Sequence, residues 1–154
     1  MHQTLLTLHS ANRWLVLIFL FYGIYLSARG YFRTRIFNRH DNFIRHFTAT
    51  ISHIQLMLGL SLYMISPIVK FNSAVAEKHL WLAEHDFLRY VHIALMILSV
   101  VLITVGSARA KRMQTDREKF GTMLLWFSLS LSVIFIAIPW PFSPLASRPF
   151  FRSF

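Results

Sequence analysis

The chain contains no cysteine and has few acidic residues. Among its 154 residues there are six Asp and Glu, against sixteen Lys and Arg. The absence of cysteine excludes disulfides, thiolate metal sites, iron–sulfur clusters and covalently attached c-type haem. Any metal must therefore be held by His, carboxylate or Met side chains. All six acidic residues lie outside the long apolar runs of the sequence, so these runs contain no carboxylate for acid–base chemistry.

Sequence signatures of the common hydrolases and nucleotide-binding enzymes are absent as well. The chain has no GxSxG, HExxH, P-loop or dinucleotide glycine fingerprint. What it has is apolar sequence: 55% of residues are hydrophobic, 14% are charged, and the mean hydropathy is +0.49. Such a composition is too apolar for a soluble domain of this size.

Four apolar windows are long enough to cross a bilayer, which takes about 20 residues for a core of roughly 30 Å. They lie at about residues 8–29, 46–66, 88–108 and 120–140. No Pro-rich or Gly-rich linker divides the sequence, and short connections favour antiparallel neighbours. The sequence therefore predicts an all-α fold with a single domain over residues 1–154, an integral-membrane, up-and-down four-helix bundle.

The net charge of +10 follows the predicted topology. Arginines cluster in the first connection, and Arg and Lys cluster in the third. Because positive connections stay on the cytoplasmic side, both termini are predicted on the outer, periplasmic side of the inner membrane, with a multi-pass topology. The basic surface suits the anionic headgroups of a lipid bilayer, and nucleic acid is not predicted as a partner.

Three histidines lie in or beside the apolar windows: His9, His53 and His92. An imidazole in hydrocarbon is costly unless it is paired or ligated, so each is a candidate functional residue. With a rise of about 1.5 Å per residue from the cytoplasmic helix ends, His9 lies roughly 30 Å up, His92 about 25 Å and His53 about 12 Å. Their similar heights make His9 and His92 the natural pair.

Two neutral imidazoles on facing helices with apolar walls are the arrangement that a bis-histidine b-type haem requires. Arg13 is one helical turn from His9, and Arg89 is almost one turn from His92. Either arginine could pair with a haem propionate. Snorkelling of the arginines towards lipid headgroups is the alternative interpretation, and for Arg89 it is at least as good.

The other histidine candidates leave several interpretations open. His53 could ligate a second haem, contact a quinone carbonyl or hydrogen-bond a neighbouring polar side chain. His85 is flanked by Glu84 and Asp86 and is a further metal candidate. Three adjacent residues cannot all converge on one ion, however, so a solvated helix start is the better interpretation of that cluster. His2 and His9, His46 and His53, and His85 and His92 are each seven positions apart.

Several segments together resemble a group of small bacterial four-helix membrane proteins that are labelled cytochrome-b-like. The segments are LHSANRWLVL at Leu8–Leu17, SHIQLMLGLSLY at Ser52–Tyr63, YVHIALMILSVVLITVGSARAKR at Tyr90–Arg112 and IPWPF at Ile138–Phe142. The resemblance covers most of the chain, and it implies a haem-binding protein of the bacterial inner membrane with ligands at His9, His53 and His92. The third-helix histidine follows Tyr90-Val91 here rather than a Glu, whereas Glu84-His85 lies seven positions earlier, so His85 remains a competing ligand.

These observations predict a membrane b-type cytochrome that binds one haem b, or two if His53 also ligates, and transfers electrons, with the quinone pool as a candidate partner. Electron carrier and quinone-linked oxidoreductase both remain open. One alternative is a cofactor-free accessory subunit of a larger respiratory or photosynthetic membrane complex, and a homo-oligomer is also compatible with the sequence. Another is a non-haem metal site formed by His9, His85 and His92.

Overall fold

A computed structural model describes residues 2–65 and 87–140, without the side chain of Arg89. These residues form the helices α1 (His2–Phe32), α2 (Arg39–Ile65), α3 (Ile93–Arg112) and α4 (Asp116–Ala137), and a π-helical turn, Phe87–His92, leads directly into α3. Each of the four candidate spans, the third counted from Tyr90, is long and apolar enough to cross a membrane. The all-helical, four-helix prediction is confirmed, and α1 begins earlier than the predicted span.

The helices form a ring in which α1 packs against α2 and α4, and α3 packs against α4 and α2. Helices α1 and α3 are therefore diagonal to each other. We call the end of the bundle at Phe32, Arg39, Arg112 and Asp116 the basic end, because the arginine clusters lie there. The opposite end, which contains the start of α1 and the π-helical turn, is called the far end. Which end faces the cytoplasm stays a prediction.

Apolar side chains occupy both the inside and the outside of the bundle. The core contains Leu20, Ile103, Met123 and Phe127, and each of these side chains is 0% exposed. Large apolar side chains also cover the outer faces of all four helices; examples are Ile18, Met57, Val101 and Leu125. A soluble bundle would place polar residues on its outer faces, so this pattern suits a bundle surrounded by lipid.

Arg45 lies just before the predicted second span of about residues 46–66, so the sequence places it in the arginine-rich first connection at the basic end. The structure places it inside α2, buried, with its guanidinium turned towards α3. Its Nη1 donates to the backbone oxygen of Ser107 at 2.8 Å and to the Ser107 hydroxyl at 2.6 Å. Its Nε and Nη2 donate to Asn42 Oδ1. The guanidinium can be buried because four hydrogen bonds satisfy it, and it ties α2 to α3.

The start of α2 is fixed by a reciprocal pair of hydrogen bonds between Asn38 and Asp41. Asn38 Oδ1 accepts from the Asp41 backbone N–H, and Asp41 Oδ2 accepts from the Asn38 backbone N–H, each at 3.0 Å. The other carboxylate oxygen of Asp41 pairs with Arg35. Asp41 is fully buried, so one carboxylate holds both the helix start and the connection that precedes it.

We expect Asp41→Ala to lower the free energy of unfolding by roughly 1 to 3 kcal/mol, because the substitution removes a helix-capping interaction and a buried acceptor of charged hydrogen bonds. Unfolding by SDS titration of the purified protein in detergent measures the change. Asp116→Ala is the matched control, since Asp116 pairs with Lys119 in a more exposed position and should cost under about 1 kcal/mol. Equal losses in the two variants would contradict the importance of Asp41.

Candidate functional site

A cavity lies at the far end of the bundle, between the diagonal helices α1 and α3. Its volume is about 260 Å³, and side chains from all four helices line it. This is just below the range of about 300 to 1,000 Å³ that is usual for small-molecule sites. The lining is mainly apolar, and the residues with polar side chains in it include His2, His9, Arg13, Gln55 and His92.

His92 is held by the end of α4. Its ring nitrogen Nδ1 lies 2.7 Å from the backbone oxygen of Ala137. Ala137 is the last residue of α4, where helical carbonyls need partners from outside the helix. Because a carbonyl can only accept, Nδ1 must carry the proton. In the neutral ring, Nε2 is then left with a lone pair, which is the arrangement usual for a histidine that ligates a metal.

His9 belongs to a chain of hydrogen bonds between α1 and α2. Asn12 Nδ2 donates to the backbone oxygen of Ile51 at 3.3 Å and to Gln55 Oε1 at 2.9 Å. Gln55 Nε2 in turn donates to the backbone oxygen of His9 at 3.0 Å and lies 3.3 Å from His9 Nε2. Two amide side chains thus connect α1 with α2 inside the apolar bundle.

The backbone carbonyls at the two ends of this chain fix its direction. The Ile51 carbonyl requires an N–H from Asn12, and the His9 carbonyl requires an N–H from Gln55. Gln55 therefore presents its NH₂ group to His9, so His9 Nε2 accepts and the proton of the neutral ring lies on Nδ1. Among the described residues, this buried Nδ1 has no hydrogen-bond partner.

Gly59 leaves space beside the His9 ring. A Cβ atom at position 59 would lie 3.1 Å from His9 Cε1 and 3.6 Å from His9 Nδ1, and both residues line the cavity. Arg13 lines it as well, one turn along α1 from His9. His9, Arg13 and His92 are close enough to interact electrostatically. The structure thus brings together three of the predicted site residues.

His53 does not line this cavity. It is exposed on α2, its Nδ1 donates to the backbone oxygen of Ala49 at 2.7 Å, and its Nε2 lies 3.2 Å from the Thr104 hydroxyl on α3. Both ring nitrogens thus have partners in the protein. Arg89 is part of the π-helical turn, but its side chain is outside the described part of the structure. His85 lies outside the described residues altogether.

Sequence reasoning missed three residues of the site: His2, Asn12 and Gln55. His2 was not among the predicted site residues, but it is helical and lines the cavity. Its spacing of seven from His9 was the available signal, since two helical turns place both on one face. Asn12 and Gln55 are uncharged polar residues within apolar spans, where polar groups face the bundle interior and seek partners.

Comparisons of the chain with protein-family models, curated proteins and solved structures find no match. Within residues 2–65 and 87–140, no group of three or more His, Asp and Glu could hold a metal ion. The predicted non-haem site of His9, His85 and His92 includes a residue outside that part of the chain.

The cavity fits haem b, the group predicted from the sequence, in part. His92 offers an oriented Nε2 lone pair, Arg13 offers a cation for a propionate, and the lining supplies apolar walls. His9, as it is hydrogen-bonded here, offers an N–H. The macrocycle is larger than the enclosed volume, so part of its edge would have to lie outside the cavity.

Proposed function

We propose that the chain is a b-type cytochrome of the membrane, which binds haem b in the cavity between α1 and α3 and transfers electrons. The observation that carries this proposal is the position of His92, whose ring is oriented by the Ala137 carbonyl so that its Nε2 is available to a metal. When bound, haem b supplies a one-electron couple. The quinone pool of the membrane is the proposed source or acceptor of the electrons.

The protein residues have separate tasks in this proposal. His92, the last residue of the π-helical turn before α3, would provide an iron ligand, and the Ala137 carbonyl keeps its ring in one tautomer and one orientation. Arg13 provides a positive charge for a carboxylate. The apolar lining, which includes Leu60, Met96 and Ile134, excludes water from the site, and this is one of the means by which proteins adjust redox potentials.

Haem binding is tested by purifying the protein from a host that makes haem b. We expect about one haem per chain by the pyridine haemochrome assay, together with a Soret band that shifts on reduction with dithionite. Purified, folded protein without a Soret band and without stoichiometric iron would overturn the proposal. A content near two haems per chain would instead indicate a second haem site in addition to the cavity.

A further inference from the structure

We propose that His9 and Arg13 together bind a carboxylate of the cofactor, so that His9 acts as a hydrogen-bond donor and not as an iron ligand. This inference rests on the proposed haem function and assigns His9 a different role from the one predicted from sequence. It follows from the direction of the hydrogen bonds around His9 and from two residues of α1 with donor groups, His9 and Arg13, that line the cavity.

The first step is the position of the proton on His9. Gln55 donates to Nε2, so the neutral ring carries its proton on Nδ1. A metal needs a nitrogen lone pair, and neither nitrogen of this ring offers one to the cavity. A buried N–H without an acceptor is costly, whereas an acceptor on a bound molecule would satisfy it. His9 is therefore suited to bind an oxygen atom.

The second step is the charge next to His9. Arg13 lies one turn away on the same helix, and both residues line the cavity. A carboxylate has two acceptor oxygens and forms its strongest hydrogen bonds with cationic donors. The neutral His9 N–H and the cationic Arg13 guanidinium are two donors on one face of α1. A propionate of haem b is the carboxylate that the proposed function brings into this cavity.

The third step concerns the residues that orient His9. Asn12 and Gln55 do not act on the cofactor; they are positioning residues that keep the His9 proton on Nδ1. Gly59 has no side chain that would cover this edge of the ring. The side of α1 that lines the cavity is thus suited to bind an anion, while His92, in the turn that leads into α3, would present a lone pair to the metal.

The experiment compares two forms of the cofactor, haem b and its dimethyl ester, in which both propionates are blocked. The apo form of the full chain in detergent is titrated with each, and the Soret change gives the two affinities. We expect wild-type protein to bind haem b at least about tenfold more tightly than the ester. In His9→Leu this preference should fall by about tenfold, with the ferric EPR signals of the iron unchanged.

Two further variants keep the result interpretable. His9→Gln retains an N–H donor but does not replace an imidazole at iron, so it should restore most of the preference for haem b. His53→Leu removes a histidine outside the cavity and should behave as wild type. If His9 were an iron ligand, His9→Leu and His9→Gln would weaken both forms of the cofactor equally and would change the spin state of the iron; that result would overturn the inference.

Failure of the inference is distinguishable from failure of the proposed function. If wild-type protein binds neither haem b nor the ester, the haem function itself is wrong. If wild-type protein binds both with the same affinity, haem binding stands, but the carboxylate site on α1 does not. A retained preference in His9→Leu that is lost in Arg13→Leu would assign the carboxylate to Arg13 alone and would also overturn the role of His9.

Discussion

Replacing His92 by alanine should remove bound haem b almost completely. The ring of His92 is the described imidazole in the cavity whose Nε2 is left available by a hydrogen bond from its Nδ1 to a backbone carbonyl. Alanine supplies no nitrogen ligand for the iron. We expect less than about one tenth of the wild-type haem content by the pyridine haemochrome assay.

Controls must show that the loss of haem comes from the missing ligand and not from unfolding of the bundle. His53→Ala is the matched control, because it also removes a histidine that hydrogen-bonds a backbone carbonyl, but one outside the cavity. Circular dichroism and detergent gel filtration should show both variants folded. Exogenous imidazole should partly restore the Soret band of His92→Ala, since it can enter the space that the side chain vacates. Wild-type haem content in His92→Ala would rule out His92 as an essential ligand.

The fold could be predicted from sequence because the bilayer imposes a simple length requirement. Four apolar runs of sufficient length separated by polar connections specify four helices, and residues 2–65 and 87–140 contain four candidate spans. The exact ends of the helices were harder to predict, because the requirement concerns only the length of the hydrophobic segment. Helix α1 continues to His2 beyond the predicted span, and α2 begins at Arg39 because Asn38 and Asp41 cap it there.

The sequence could predict only those features of the candidate site that depend on how deep a residue lies in the membrane. Counting residues along the helices gave His9 and His92 similar heights, and both line one cavity. Height alone does not give the rotation of a helix about its axis. The exposed position of His53 and the inward position of Gln55 depend on that rotation, as does the tautomer of His9, which requires the partners of both ring nitrogens.

Gly106→Ala should be strongly destabilising, although it adds only one methyl group. A Cβ atom at position 106 would lie 2.3 Å from the Cβ of Trp126 and 2.9 Å from its Cγ. These atoms are next to the α4 backbone, so rotation of the indole cannot relieve the clash, and α3 and α4 must move apart. Overpacking of this kind costs about 1 to 3 kcal/mol or more, which exceeds the gain of up to about 1 kcal/mol from replacing glycine in a helix.

Gly23→Ala is the matched control for this prediction, since it adds the same methyl group to another buried glycine. Its Cβ would lie 3.2 Å from Cδ2 and Cε2 of Phe127, atoms at the edge of a ring that a small rotation can move. The helix-propensity gain of up to about 1 kcal/mol should then roughly offset the strain. SDS titration should show a large loss of stability for Gly106→Ala and little change for Gly23→Ala. If the two variants unfolded alike, the close approach of α3 and α4 at Gly106 would be wrong, because the difference expected between the variants depends on that contact.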